Sequence, residues 1–332
     1  MVPSISIVIP VYNCEKYLDD CLISVYNQDT ELSEFEVICV NDGSSDSSLA
    51  ILENYKSKYS NLKIISQENK GHAVARNTGL AAAVGKYVWF VDSDDVIEKN
   101  SISKIVDTME KNEIDFLTIG LTYFDSNKNY ENLSLKMHDF KLTINKKISR
   151  KICCSGPRIF SRKILVDHSI KWNDNLTCDD FLFVFQVQCY CQKSRYVKQL
   201  YYFCRETPNS ASRIKSAEHA EKSYHSSKQL LEIYCNEFEK TENAKLKKEI
   251  AVRKNQIVQS LLLQAAMSRN SDEIKFLLDN LKYRKLYPYK LIYCHLLYRG
   301  NINNTIMNYI CFLFPIESYY RLICKIFKMR HN

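Results

Sequence analysis

Val40-Asn41-Asp42-Gly43-Ser44-Ser45-Asp46 and Phe90-Val91-Asp92-Ser93-Asp94-Asp95 both pass directly from apolar, strand-forming residues into acidic and turn-forming ones. A strand that stops at a carboxylate, twice, decides how the surrounding sequence is read. Upstream, residues 5–9 are β-rich and end at Pro10. Leu18, Cys21, Leu22 and Val25 then recur at i, i+3, i+4 and i+7, one face of a helix. Residues 35–40 form a second strand, Ile64-Ile65 a short third, residues 71–84 a helix and residues 87–91 a fourth strand. Strands alternating with helices predict βαβ units in an α/β, Rossmann-like fold, a mostly parallel sheet with flanking helices. Ligands of such sheets bind beyond the strands' C-terminal ends. Of only seven glycines, Gly43, Gly71, Gly79 and Gly85 fall within residues 43–85, where backbone constraint is expected.

Beyond residue 120 the pattern loosens. Residues 150–206 are mixed, with a strand over 196–204, and Thr207-Pro208-Asn209-Ser210-Ala211-Ser212 reads as a loop. From about 217 to 281 the periodicity turns helical, with Leu246, Ile250, Ile257 and Leu261 on one face. The expected division is an α/β domain over 1–215 and a helical region over 216–332. A length of 332 residues agrees with about two domains.

Net charge is +8, and it is not spread evenly. Residues 282–332 hold nine Lys or Arg against one acid, Glu317, which leaves the rest of the chain neutral. Thirteen scattered cysteines with no C-x-x-C pair indicate neither a zinc ribbon nor a disulfide framework, so a reducing compartment is expected. The N-terminus lacks a basic n-region and reads as a strand rather than a signal peptide. The uncharged stretch 300–316 is interrupted by Asn301, Asn303, Asn304 and Asn308 and is not read as a membrane span.

Carboxylates closing consecutive parallel strands converge on one crevice. Asp92 and Asp94, one residue apart, can share a Mg²⁺ or Mn²⁺ ion, a hard cation that prefers oxygen ligands and bridges phosphates. Taken alone, an Asp-x-Asp also suits a solvated loop or a helix N-cap. Other chemistries fail on inspection. No Gly-x-Gly-x-x-Gly follows a strand, and Gly79 to Lys86 lacks the spacing and the Ser/Thr of a P-loop. His219 and His225 share no helix face, and Cys153-Cys154 and Cys189/Cys191 read as core or strand thiols.

In combination, the motifs resemble the family 2 glycosyltransferases, whose fold is called GT-A. The matching segments are Ser6-Ile7-Val8-Ile9-Pro10-Val11-Tyr12-Asn13 with Tyr17-Leu18, and Val40 through Asp46. Asn69-Lys70-Gly71 through Ala75-Arg76-Asn77-Thr78-Gly79 and Phe90 through Asp95 complete the set. They stand in the family's order and spacing over residues 4–100. A looser match runs on through Phe160, Trp172, Cys178-Asp179-Asp180 and Tyr201-Tyr202-Phe203-Cys204-Arg205 to Asn209-Ser210.

The resemblance implies a nucleotide-sugar half over 1–100 and an acceptor half over 101–215. Pro10 and Tyr12 would frame the uracil of a UDP-sugar, and Asp42 would accept its imide N–H. Asn69 and Arg76 would steady the nucleotide. Asp92 would contact the ribose or share the metal through water, with Asp94 the direct ligand of Mn²⁺ or Mg²⁺. Asp180 would be the general base of an inverting transfer. The family's usual Gly-Glu-Asp is here Cys178-Asp179-Asp180, which keeps Asp179 as the alternate base. Adjacent side chains on a helix point about 100° apart, so one of the two faces the crevice. Arg205 and Ser210 would touch pyrophosphate or acceptor, with a surface Arg beside a turn as the alternative. Both tryptophans, Trp89 and Trp172, precede Asp180, so the Gln-x-x-Arg-Trp of processive members is absent and transfer is expected to be non-processive.

In the tail, Tyr319, Leu322, Ile323, Ile326 and Phe327 fall on one helical face, while Arg321, Lys325 and Lys328 take another. This basic, aromatic-rich pattern over 282–332 suits an anionic membrane surface. A helix packed on the catalytic domain is the alternative, and no nucleic-acid partner is expected. The expected protein is thus a metal-dependent glycosyltransferase adding sugar to a growing, lipid-linked surface glycan. It would lie in the cytoplasm, peripheral on the inner membrane's cytoplasmic face. A polyol-phosphate or protein acceptor, or a catalytically inactive GT-A-like scaffold, are the other readings.

Overall fold

The computed structural model describes residues 2–125, 155–177, 179–207 and 217–244, with 246–248, 250–251, 253–254, 257–258 and 261. The predicted alternation is present: β1 (Ile5–Val11), α1 (Glu15–Tyr26), β2 (Phe35–Asp42), α2 (Ser48–Lys58), β3 (Leu62–Gln67), α3 (His72–Ala82) and β4 (Tyr87–Phe90). There follow β5 (Val96–Ile97), α4 (Ile102–Lys111), β6 (Phe116–Asp125), β7 (Arg158–Ser161), α5 (Arg162–Asp167), α6 (Asp179–Tyr190) and β8 (Ser194–Glu206). The last described helix is α7 (Ala217–Lys240). Pro10 does not end β1, which runs on to Val11: pairing with β4 stops at Val8, so Pro10 has only β2 beside it, an edge-like position where a missing N–H is tolerated.

The chain divides into two compact units, residues 1–175 with 179–214, and residues 176–178 with 215–332. The first holds one eight-stranded sheet in the order β3-β2-β1-β4-β7-β6-β8-β5. From β3 to β4 all pairings are parallel, with Ile7 opposite both Val37 and Trp89. Past β4 the sheet is mixed rather than mostly parallel. β7 runs antiparallel to β4 and β6, β6 and β8 are parallel, and β5 is antiparallel to β8.

Strand periodicity sorts the core onto the two faces. Ile5, Ile7, Ile9 and Val11 join Leu18, Cys21, Leu22 and Val25 of α1 on one face. Val8, Ile38, Val40, Val88 and Phe90 point to the other, against α3 and α6. There Gly79 lets α3 settle directly onto β1, since a Cβ at that position would stand 2.3 Å from Val8 Cγ1. At the N-terminal edge of the strands, buried Glu36 accepts from the Ser6 hydroxyl, the Lys63 ammonium and the N–H groups of Val84 and Gly85. Those donors hold its carboxyl below the ordinary carboxylate range despite burial.

In the second unit α7 buries Leu230, Tyr234 and Cys235, and Ile250, Val258 and Leu261 are likewise buried. Among the described residues no helix is long and apolar enough to cross a membrane. The basic tail 282–332 lies outside the described residues.

Candidate active site

The β1–α1 and β2–α2 turns are tied to each other before any ligand is considered. Asn13, at φ 46°, accepts from Ser45 N through its side chain and donates its own backbone N–H to Ser44 Oγ. Asp46 accepts from the N–H groups of Glu15 and Ser48, and Glu15 in return accepts from Ser47 N. Reciprocal side-chain to backbone hydrogen bonds therefore tie the starts of α1 and α2 together. Pro10 ends this rim half-buried, and the Tyr12 ring is 51% exposed over the strand ends.

Asp42, at the end of β2, is 2% exposed. Its Oδ1 accepts from Gln67 Nε2 at 2.7 Å and Lys70 N at 2.9 Å, and its Oδ2 from Gly71 N at 2.9 Å. A carboxylate offers about four lone-pair sites, so one acceptor direction stays available beside the turn that it organises. Gln67 cannot flip, because its Oε1 takes the Thr78 hydroxyl at 2.7 Å. Gly43, at φ +72°, passes under this turn where a Cβ would lie 2.8 Å from Asn69 N. Asn69 is exposed, and its side-chain oxygen accepts from Gly71 N.

The Asp92–Asp95 turn follows β4. Arg76 Nη2 donates to Asp92 Oδ1 at 2.6 Å, and Nη1 stands 3.9 Å from Asp179 Oδ2. The Arg76 guanidinium lies over the Trp172 ring, 4.6 Å to its centroid, and Trp172 stacks in turn on Phe183 of α6. Asn77, next on α3, exchanges two hydrogen bonds with the Trp172 backbone. Arg76 is thus a buried hub between the strand-four turn and the start of α6, not a side chain held out into solvent. Burial and the Asp92 charge push the Asp94 carboxyl up to about 6. Among the described residues, no group of three or more His, Cys, Asp or Glu side chains could hold a metal by itself.

Arg205, at the end of β8, lies under the same turn with a side chain 2% exposed. Its Nε donates to the Asp94 main-chain oxygen, its Nη2 to Asp20, and its backbone N–H to Asp95 Oδ1. The guanidinium is sandwiched between the rings of Tyr17 and Phe124, 4.9 and 4.6 Å to their centroids. Tyr202, also on β8, accepts from Asp92 N at 3.2 Å. Ser210 lies outside the described residues, as does Cys178.

Asp179 and Asp180 open α6. Asp179 is buried, and its Oδ2 lies 3.0 Å from His72 Nε2. Burial pushes the Asp180 carboxyl up to about 6, with Arg76 and the Ser155 hydroxyl opposing that rise and Asp179 and Asp92 reinforcing it. Its Oδ1 is buried with no hydrogen-bond partner among the described residues. The fold therefore brings Asp42, Arg76, Asp92, Asp94, Asp179 and Asp180 together at the C-terminal ends of the strands. Sequence reasoning missed His72, Gln67 and Thr78. His72 was findable one turn ahead of Arg76 at i, i+4, whereas the Gln67 link depends on tertiary approach.

The family model for glycosyl transferase family 2 matches residues 6–168. The chain carries a family 2 glycosyl transferase domain. Two relatives are each similar to about a third of the chain. EpsJ of Bacillus subtilis, an uncharacterised glycosyltransferase, is 38% identical over 36% of this chain and 34% of its own length. The poly(ribitol-phosphate) beta-glucosyltransferase of Bacillus spizizenii is 42% identical over 35% of this chain and 18% of its own length. The matched region thus spans about a third or less of these curated relatives. The crystal structure of S. aureus TarS 1-349 with UDP-GlcNAc superposes with a TM-score of 0.67 at 20% identity, covering 99% of this chain and 93% of that one. This family 2 domain has the GT-A fold.

Proposed function

We propose that the chain is an inverting glycosyltransferase that moves a sugar from a UDP-sugar to a hydroxyl of a growing surface glycan, one sugar per encounter. The observation that carries this reading is the juxtaposition, around Arg76, of the Asp92–Asp94 turn with Asp180. One provides for a diphosphate, the other for a proton. Asp42, with one acceptor direction left, receives the uracil imide N–H, and Tyr12 with Pro10 frames the base. Asn69 borders the nucleotide from the β3–α3 turn.

Asp180 suits a general base: its raised carboxyl, near 6, matches proton abstraction close to neutral pH. It takes the proton of the acceptor hydroxyl as that oxygen bonds to the anomeric carbon. The bond from that carbon to the diphosphate breaks on the opposite face, UDP departs, and configuration inverts. Asp94 and Asp92 fit a hard divalent cation, being two carboxylates close enough that the Asp92 charge adds to burial in raising Asp94. Two carboxylates completed by substrate phosphates are a usual Mg²⁺ arrangement. Asp94 would hold Mn²⁺ or Mg²⁺ directly and Asp92 through water. The bound ion supplies electrostatic stabilisation of the departing diphosphate.

A lipid-linked acceptor at the inner membrane's cytoplasmic face follows from the basic tail, whose support is compositional. A polyol-phosphate acceptor is favoured by one further observation, the relative named as a poly(ribitol-phosphate) transferase. The experiment is a screen of UDP-sugars for UDP release with Mn²⁺ or Mg²⁺, in the presence of lipid-linked, polyol-phosphate and protein acceptors. Release with one donor and one acceptor class is expected. Nucleotide binding without turnover for every pair would instead mark an inactive scaffold.

A further inference from the structure

The two carboxylates that open α6 are chemically alike and differently surrounded. Asp179 has a side chain 4% exposed, 3.0 Å from His72 and 3.9 Å from Arg76. Asp180 keeps a buried Oδ1 with no hydrogen-bond partner among the described residues, and its carboxyl is faced by Arg76, Asp179, Asp92 and the Ser155 hydroxyl. His72 begins α3 one turn ahead of Arg76, so the two cationic side chains approach the same end of α6 from a single helix.

We propose that His72 is a positioning residue that reserves Asp180 for proton abstraction, by holding Asp179 in a cation–carboxylate hydrogen bond. The proposal rests on the transfer reaction inferred above. Two neighbouring carboxylates hinder each other's ionisation, and a cation placed on one relieves the other. The charged groups around His72 are Asp179 from α6, Asp92 from the β4–β5 turn and Arg76 from its own helix. The hydrogen bond with Asp179 holds the imidazole above its ordinary value, opposed by Arg76 and by a burial that is only partial, since the His72 side chain is 55% exposed. His72 is thereby biased toward its charged form where Asp180 gives up its proton, near 6. His72 keeps its own proton throughout. The acceptor's proton goes to Asp180, and Asp179 stays an ion-paired carboxylate.

The test uses the full chain labelled with carbon-13 at aspartate carboxyls. Its titration is followed by NMR, with the Asp180 signal identified by its loss in Asp180→Asn. His72→Gln keeps an N–H donor and removes the charge. In that variant the Asp180 titration should move to higher pH by on the order of one unit. His72→Lys, which restores a cation, should return it toward the parent value. Superimposable Asp180 curves in the parent and His72→Gln overturn the proposal. In UDP release, the acid limb of kcat/KM should move with the NMR shift while KM for the donor stays unchanged. An acid limb that stays fixed despite the NMR shift also overturns it. A carboxyl shift in a chain that releases no UDP from any donor sinks the transfer reading instead, and leaves the charge pairing standing.

Discussion

Arg205 reaches Asp94 from underneath, donating through Nε to its main-chain oxygen at 2.9 Å, while the Asp94 carboxyl belongs to the strand-four turn above. The arginine therefore acts on the turn through the backbone. Because Nη2 simultaneously engages Asp20 at 2.8 Å, with Tyr17 and Phe124 on the two faces, the turn is anchored to α1 and β6 together.

Arg205→Ala should destabilise the domain by about 2–4 kcal/mol, since it strips a buried ion pair and leaves the turn's carbonyl without its donor. Arg205→Lys should recover part of this, keeping the charge without the planar fork. Urea unfolding measures both. A change in the alanine variant no larger than that of a surface substitution would remove Arg205 from the support of the turn.

Asp94→Asn should abolish divalent-ion-supported UDP release while leaving the fold intact. Losing a ligand and a charge beside the diphosphate costs several kcal/mol of transition-state stabilisation. Circular dichroism with an assay over a metal series checks this. Near-normal turnover of the variant in EDTA would refute the metal assignment.

Asp180→Asn should retain UDP-sugar binding and lose ~10²–10⁴-fold in turnover, with Asp179→Asn milder. The same substitution should stabilise the ligand-free protein. Asp180 titrates near 6 when folded against an ordinary value of 3.8, so across that interval the native state binds more protons than the unfolded one. Its contribution to stability is present at low pH and is lost as pH rises through the interval. Asp180→Asn should thus match its parent near pH 4 and exceed it by on the order of 1–2 kcal/mol near pH 7.5. Urea titrations at the two pH values decide; a variant less stable than its parent at the higher pH contradicts the argument.

Gln67→Glu should weaken UDP binding roughly tenfold, because a carboxylate would replace the amide donor facing Asp42. Thr78→Val should do so less, by freeing the Gln67 amide to turn. Calorimetric titration with UDP and CDP is the readout, and an unchanged UDP affinity in Gln67→Glu would show that Asp42 needs no such support.

If residues 282–332 contact an anionic membrane, the full chain should sediment with anionic vesicles at low salt and be partly released at high salt. The Debye length falls from ~10 Å at 0.1 M to ~3 Å at 1 M, which screens the attraction. Sedimentation that ignores both salt and lipid charge would rule out this electrostatic contact.

The strands and helices of the first hundred residues were legible because each reports its own burial. Alternating Ile5, Ile7 and Ile9 against Val8 marks a strand covered on both faces, and Leu18, Cys21, Leu22 and Val25 mark one helix stripe. The carboxylates were legible because they close those strands. The employment of the two arginines was not. Arg76 and Arg205 read as side chains for a nucleotide, yet their partners Trp172, Asp179, Asp20 and Phe124 lie far off in sequence and meet them only in the folded sheet. The mixed order beyond β4 was equally unreadable, because β5 is only two residues long and β7, β6 and β8 are paired out of sequence order by tertiary approach.

Arg205 and Asp95 are hydrogen-bonded across a sequence separation of 110 residues. During translation, then, the ribosome releases the whole Asp92–Asp95 motif long before β8, the strand that will brace it. A nascent chain ending near residue 190 contains the segments of β1 to β4 and the Arg76–Asp92 pair, but lacks the Tyr202 and Arg205 contacts beneath the acidic turn. The domain acquires its motif early and its working geometry late, when the segment carrying Tyr202 and Arg205 is drawn in between β6 and β5.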